Sequence, residues 1–181
     1  MEEIRFGSSA AGYVTEGFSS SPVFTVDTLY DYDGTWPASA VLGAINAGDY
    51  GIINHLGHAN ETYVMKFYNS DADALTNTNL QFVYSQGCHP GDFPLDCIAE
   101  HLTTSHRHGM FAVVFNSRYG WGAYNDSRST LDAPSQRLDR EFWDAYFAEY
   151  ILSLGAINAD SHEDNIAHIN DTYIRWCFYE T

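Results

Sequence analysis

Hydrophobic and polar positions change period several times along the chain, and each change predicts an element. Residues 7–21 are rich in Gly and Ser and read as loop. Val23-Phe-Thr-Val-Asp-Thr-Leu-Tyr30 alternates weakly and is β-prone, which predicts a strand, and Asp31-Tyr-Asp-Gly34 reads as the turn after it. Pro37 suits the first turn of a helix whose apolar face is Ala40, Val41, Ala44 and Ile45, and Gly48 closes it. Tyr50-Gly-Ile-Ile-Asn-His55 follows as a short buried-type strand. Residues 69–79 (NSDADALTNTN) carry loop chemistry, and Leu80-Gln-Phe-Val-Tyr-Ser85 is the next strand.

Asp92 caps a predicted helix with Pro94 in its first turn. Leu95, Ile98, Ala99 and Leu102 form its apolar stripe, and Gly109 ends it. Met110-Phe-Ala-Val-Val-Phe115 is continuously apolar, the pattern of a strand buried on both faces. A loop runs from Ser117 to about Pro134. Leu138, Phe142, Tyr146, Tyr150 and Leu154 then recur every fourth residue as one long amphipathic helix, and Ile166, Ile169, Tyr173 and Trp176 mark a last helix. Apolar strands alternating with amphipathic helices predict an α/β layer sandwich around a mostly parallel sheet. In such folds ligands bind beyond the carboxyl ends of the strands, here just after residues 55, 86 and 116.

Composition narrows the picture. The 181 residues, 45% of them hydrophobic, suffice for one well-buried domain and exclude global disorder. Eight Lys+Arg against 24 Asp+Glu give a net charge of −16, with Lys66 the only lysine. A chain without a basic stripe does not bind nucleic acid, and an anionic membrane repels it. An acidic surface suits cationic partners, although solubility alone explains it. No apolar run approaches a membrane span, and the acidic start lacks the form of a signal peptide. The three cysteines, Cys88, Cys97 and Cys177, form no disulfide framework.

The three strand ends carry His55-Leu-Gly-His58-Ala-Asn-Glu61, Ser85-Gln-Gly-Cys88-His-Pro-Gly-Asp92 and Asn116-Ser-Arg-Tyr-Gly-Trp121. A His and a Cys at the tips of neighbouring strands are what a thiol peptidase needs, since the imidazole manages the proton of the nucleophilic thiol. Gln86-Gly-Cys88 is one residue away from the Gln-Ala-Cys of caspases, and a small residue before the Cys permits a tight strand exit. A rival reading gathers the histidines between positions 55 and 108 with Cys88 into the zinc site of a hydrolase, but the spacing is poor, and no metal ligand is assigned.

The chain resembles the gingipain-like cysteine peptidases, relatives of the caspases and legumains. The likeness rests on Gly57-His58 after an apolar strand, on Leu75-Thr-Asn-Thr-Asn-Leu80 leading into FVYSQGC, on Pro90-Gly-Asp-Phe93 and on the helix residues CIAEHL. The strand Gly109–Ser117, the segment SRYGWG and Pro134–Trp143 add to it. The resemblance implies a caspase-like three-layer α/β/α sandwich and a cysteine endopeptidase that needs no cofactor, with a peptide or protein substrate. It implies His58 and Cys88 as the catalytic pair, the backbone amides of Ala59 and Cys88 as the oxyanion site, and Gln86, Tyr119 and Trp121 around the pocket for the residue before the cleaved bond.

The resemblance also implies that residues 1–181 are one catalytic subdomain excised from a longer protein, partnered by an N-terminal subdomain and lying outside the cytoplasm, secreted or at the cell surface. Its first 35 or so residues match the family poorly. Two departures stand out. Ala59 replaces the Gly that usually follows the His, and no acid that orients the His is evident, Glu16 and Asp27 being the candidates. A non-catalytic binding module, with Tyr119, Trp121 and Tyr124 as its recognition surface, is the other expectation. Cys97 and Cys177 read as structural, His55 as a hydrogen-bonded core or rim residue, His89 as a pocket-rim residue, and His101, His106 and His108 as helix-end polar groups.

Overall fold

A computed structural model describes residues 23–31, 34–104, 107–122 and 133–169, with Arg175 and Phe178. They fall into two compact units: Leu29–Gly120, and one that joins the residues before Leu29 to those from Trp121 onward.

The first unit opens with helix α1 (Ala38–Ala47). Pro37, unable to donate a hydrogen bond, stands at its N-cap, and Gly48 at φ 71° closes it, a backbone conformation that favours glycine. Strand β1 (Ile52–His55) follows, then a hairpin of β2 (Tyr63–Val64) and β3 (Phe67–Tyr68), helix α2 (Asn69–Asp73), strand β4 (Gln81–Ser85), helix α3 (Ile98–Thr103) and strand β5 (Met110–Phe115). The sheet order is β1-β4-β5 with both pairings parallel, as the sequence predicts. Odd-numbered positions of β4 face the helices: Val83 joins Val41 and Ile45 of α1, Phe67 of β3, Ala72 of α2, and Ile98 and Leu102 of α3 in the core. Gln81, on the same face, donates its amide to the Ile45 carbonyl at 3.0 Å. Asn77 is fully buried and clamps both sides of Gly109, donating to its carbonyl at 2.7 Å and accepting its N–H at 2.8 Å, which fixes the start of β5.

The second unit contains α4 (Pro134–Phe147), α5 (Leu154–Asp164) and a 3-10 turn (Asn165–His168). Leu138, Phe142 and Trp143 of α4 and Ile157 of α5 are buried there, and the ring of Phe24 meets that of Phe147 edge-on at 5.6 Å.

Several expectations are corrected. Val23–Tyr30 belongs to neither sheet, and Val23, Val26 and Leu29 are exposed: strand propensity without neighbouring strands does not make a ladder. The stretch 69–79 begins with α2, whose first turn is held by Asp71 accepting the Tyr68 N–H at 2.9 Å. The helix placed at Asp92 begins only at Ile98, because residues 90–95 turn instead, and Leu95 is exposed rather than on an apolar stripe. β5 is an edge of the described sheet, so Phe111 is exposed rather than buried on both faces. The four-residue repeat from Leu138 to Leu154 breaks after Phe147: Tyr150, 79% exposed, turns the chain at φ 62° before α5 begins. Residues 7–21, Glu16, His106, Tyr124, Tyr173, Trp176 and Cys177 lie outside the described residues.

Candidate active site

The parallel register places His55 opposite Ser85 and Tyr84 opposite Val114, so the chain leaves β1, β4 and β5 at one end of the sheet. His58 lies three residues beyond β1 and is exposed. Cys88 lies three residues beyond β4 and is half-buried as a free thiol. The two turns touch. The Gln86 N–H donates to the His55 carbonyl at 3.2 Å, continuing the ladder one step past the strands. Gly87 then presses on the His58 turn so closely that a Cβ there would lie 2.5 Å from the Ala59 methyl and 3.1 Å from the Gly57 carbonyl. Only glycine fits at this crossing. The Ala59 that departs from the family pattern keeps its backbone amide in this contact, 3.4 Å from the same position.

The exit of β5 closes the other side. The Cys88 thiol points at the Gly120 carbonyl, 3.4 Å away, the His89 N–H donates to the Arg118 carbonyl at 2.6 Å, and the Gly91 N–H donates to the Asn116 carbonyl at 3.0 Å. A Cβ on Gly120 would fall 2.0 Å from the Gln86 carbonyl, so this glycine too permits backbone to lie on backbone. Gln86 is buried rather than open to solvent. Its amide donates to the Tyr84 hydroxyl at 2.8 Å and its carbonyl oxygen accepts from Asn116 at 3.5 Å. Tyr119, half exposed, stands edge-on to the His89 imidazole with centroids 4.4 Å apart. Trp121 belongs to the second unit, where it exchanges hydrogen bonds with Ser135: its N–H donates to the Ser135 hydroxyl at 2.8 Å, and its carbonyl accepts the Ser135 N–H at 3.3 Å.

The histidines divide by environment. Burial, reinforced by the nearby His58, pushes His55 down to about 4, so its ring is neutral at neutral pH. His101 is raised, chiefly by its 2.7 Å hydrogen bond to Asp73 and also by Asp96 at 3.0 Å. His108 donates to the Asn77 carbonyl at 2.9 Å. His89 sits between Asp92 at 3.3 Å and Glu61 at 3.9 Å. Among the described residues, the groupings able to hold a metal ion are Glu61–His89–Asp92 and Glu149–Asp160–Asp164; neither includes Cys88, so the Cys-containing histidine cluster is not assembled. Burial raises the Cys97 thiol, which suits its reading as a structural residue. Ser85, which the sequence pattern treats only as the end of a strand, bonds both His55 at the end of β1 and the Gly87 N–H of the Cys88 turn, and Gly120 belongs to the Arg118–Gly120 stretch that the resemblance places beside the pocket.

The sequence model of peptidase family C25 matches residues 6–181. No curated protein matches the chain. Among solved structures, the Arg specific cysteine proteinase gingipain R superposes with a TM-score of 0.58 at 22% identity, over 70% of this chain and 30% of that one. The complex of Porphyromonas gingivalis RgpB pro- and mature domains gives a TM-score of 0.62 at 19% identity, over 80% of this chain and 34% of that one. The structural likeness bears out the α/β fold with its parallel sheet, and the chain spans about a third of the length of those chains. With the match running over nearly its whole length, the chain belongs to peptidase family C25, the gingipain-like cysteine peptidases.

Proposed function

We propose that the chain carries the catalytic apparatus of a cysteine endopeptidase, with Cys88 as nucleophile and His58 as its acid–base partner. The observation that supports this best is the seat of Gly87 on Gly57 and Ala59, which brings the His58 turn and the Cys88 turn into van der Waals contact at the carboxyl end of the sheet. In the reaction His58 takes the proton of the Cys88 thiol as the sulfur forms a bond to the peptide carbonyl carbon. The carbonyl oxygen gathers negative charge and takes hydrogen bonds from the backbone amides of Cys88 and Ala59, each donor being worth about 2.7–4 kcal/mol in comparable sites. The C–N bond then breaks, His58 gives its proton to the departing amine, and the neutral imidazole takes a proton from water as that water hydrolyses the thioester. Gln86 shapes the pocket floor from behind, through its bonds to Tyr84 and Asn116, and Tyr119 forms an exposed wall beside His89.

As the family resemblance implies, the same reading gives the chain an N-terminal partner subdomain and a place outside the cytoplasm; the chain covers only 30–34% of the matched structures. Among the described residues no helix is long and apolar enough to cross a membrane. The deciding experiment is Cys88→Ala. Hydrolysis of a protein substrate and labelling by a thiol-directed peptide affinity probe are expected to vanish together. Hydrolysis or labelling that persists in the variant would overturn the assignment.

A further inference from the structure

Behind the two catalytic turns lies a side-chain contact that the reaction itself does not use. His55 and Ser85 are the last residues of β1 and β4 and face each other across the parallel pair. His55 Nδ1 and Ser85 Oγ are 2.8 Å apart and share a hydrogen bond. The same oxygen accepts the N–H of Gly87 at 3.1 Å. At the far edge of the ring, Nε2 rests against Gly57, where a Cβ would come within 2.7 Å of it. One imidazole therefore spans from the glycine that precedes His58 to the hydroxyl that orders the glycine preceding Cys88.

We propose that His55, acting through Ser85, is a positioning residue for the Cys88 turn: a strut that fixes Gly87 and the oxyanion amide after it against the turn that carries His58. The proposal rests on the peptidase reading for its catalytic consequence, while its structural core concerns Gly87 alone.

Three features fit a strut better than a second acid–base group. The ring is packed on Gly57 and engaged at Nδ1, so it stays in place instead of moving with a proton. Its pKa, lowered by burial to about 4, keeps the ring uncharged at neutral pH, so it does not carry the proton that a second acid–base group would. The Ser85 hydroxyl can donate or accept, so it satisfies the ring while holding the Gly87 N–H. Pre-organised amides are the source of oxyanion stabilisation, and a turn that loosens by a fraction of an ångström forfeits it.

The test uses the whole chain with His55→Leu, His55→Asn and Ser85→Ala. An Asn side chain places a polar atom near the position of Nδ1, whereas Leu does not. Two quantities are read: kcat and KM for peptide hydrolysis, and the hydrogen-exchange rate of the Gly87 amide, with thermal melting as a control for folding. His55→Leu and Ser85→Ala are expected to lower kcat about tenfold or more with KM nearly constant, and to speed Gly87 exchange by a similar factor. His55→Asn is expected to restore most of both. Native exchange at Gly87 in folded His55→Leu and Ser85→Ala overturns the strut, and so does an Asn variant as impaired as the Leu one. If His55→Leu fails to fold, Ser85→Ala, which deletes one oxygen, decides. If the unmodified chain hydrolyses no peptide, the peptidase reading fails by itself, and Gly87 exchange still judges the strut.

Discussion

β4 and β5 lie side by side in one sheet, yet their sequences and their burial run in opposite senses. β4 reads Gln-Phe-Val-Tyr-Ser, with a polar residue at each end, and every one of its residues is buried. β5 reads Met-Phe-Ala-Val-Val-Phe, with no polar side chain, and only Met110 is fully buried while Phe111 is 58% exposed. Place in the sheet decides this. Among the described residues β4 has a strand on each side, whereas β5 has one. A central strand can carry polar groups because its surroundings satisfy them: Gln81 is tied to α1 through the Ile45 carbonyl, and Ser85 is tied to His55 and Gly87. An edge strand can be wholly apolar and still contribute little to the core. The chemistry of the site hangs from the strand whose position is the more tightly determined.

The largest test of this contrast uses two phenylalanines whose rings touch, Phe82 of β4 and Phe111 of β5, with centroids 6.4 Å apart. Phe82 is 3% exposed and Phe111 58%. Phe82→Ala is expected to destabilise by about 3–5 kcal/mol, the range for truncating a buried aromatic, and Phe111→Ala by about 1 kcal/mol or less. Denaturant unfolding of both variants measures the difference. Equal losses would mean that the two strands are equally central.

This contrast also marks what the sequence could tell. The strands that bear the site are legible because their apolar blocks end in a small-residue turn with a reactive side chain, Gly57-His58 and Gly87-Cys88. The α1 boundaries are legible because Pro37 and Gly48 have single-residue mechanisms. The β2–β3 hairpin left no such trace. It turns on Met65 and Lys66, both at positive φ, where the usual Asn-Gly or Gly-Gly is absent. The turn is held from outside, by Lys66 bonding Thr35 and the Trp36 carbonyl, each at 3.1 Å, and lying 4.1 Å over the Trp36 ring. The burial of Gln86 and the His55–Ser85 contact depend on which strands pair and in what register, and no local pattern encodes that. The four-residue period across 138–154 misleads because it continues unbroken through Tyr150, where the backbone does not.

A second, smaller test asks whether the inside of the β1–β4 pair is as dry as the burial of β4 implies. His55 has a folded pKa of about 4 against an ordinary 6.5. Between those values the unfolded chain binds more protons than the folded one, so stability rises with pH there and is lost as pH falls through the window. The slope contributed is at most about 1.4 kcal/mol per pH unit. Stability curves of the native chain and His55→Asn, measured between about pH 4 and 7, are expected to differ by this acid limb, with the variant the flatter. Parallel curves would mean that water reaches the ring.

The smallest test moves to α3, which packs beside β5. His101 on that helix shares its two ring nitrogens between Asp73 and Asp96, and its pKa is raised above 6.5, first by the hydrogen bond to Asp73. The sign is the reverse of His55. The folded chain holds the proton more tightly, so the contribution is fully present below 6.5 and is lost as pH rises through the raised value. Asp73 and Asp96 are both largely exposed, so water and salt screen the pair, and the effect is expected to be small beside that of His55. His101→Gln should remove a shallow loss of stability on the alkaline side of 6.5, and added salt should erase it in the native chain. A loss as steep as the acid limb of His55, or one indifferent to salt, would place His101 in a buried environment and make the β5 side of the sheet as enclosed as the β4 side.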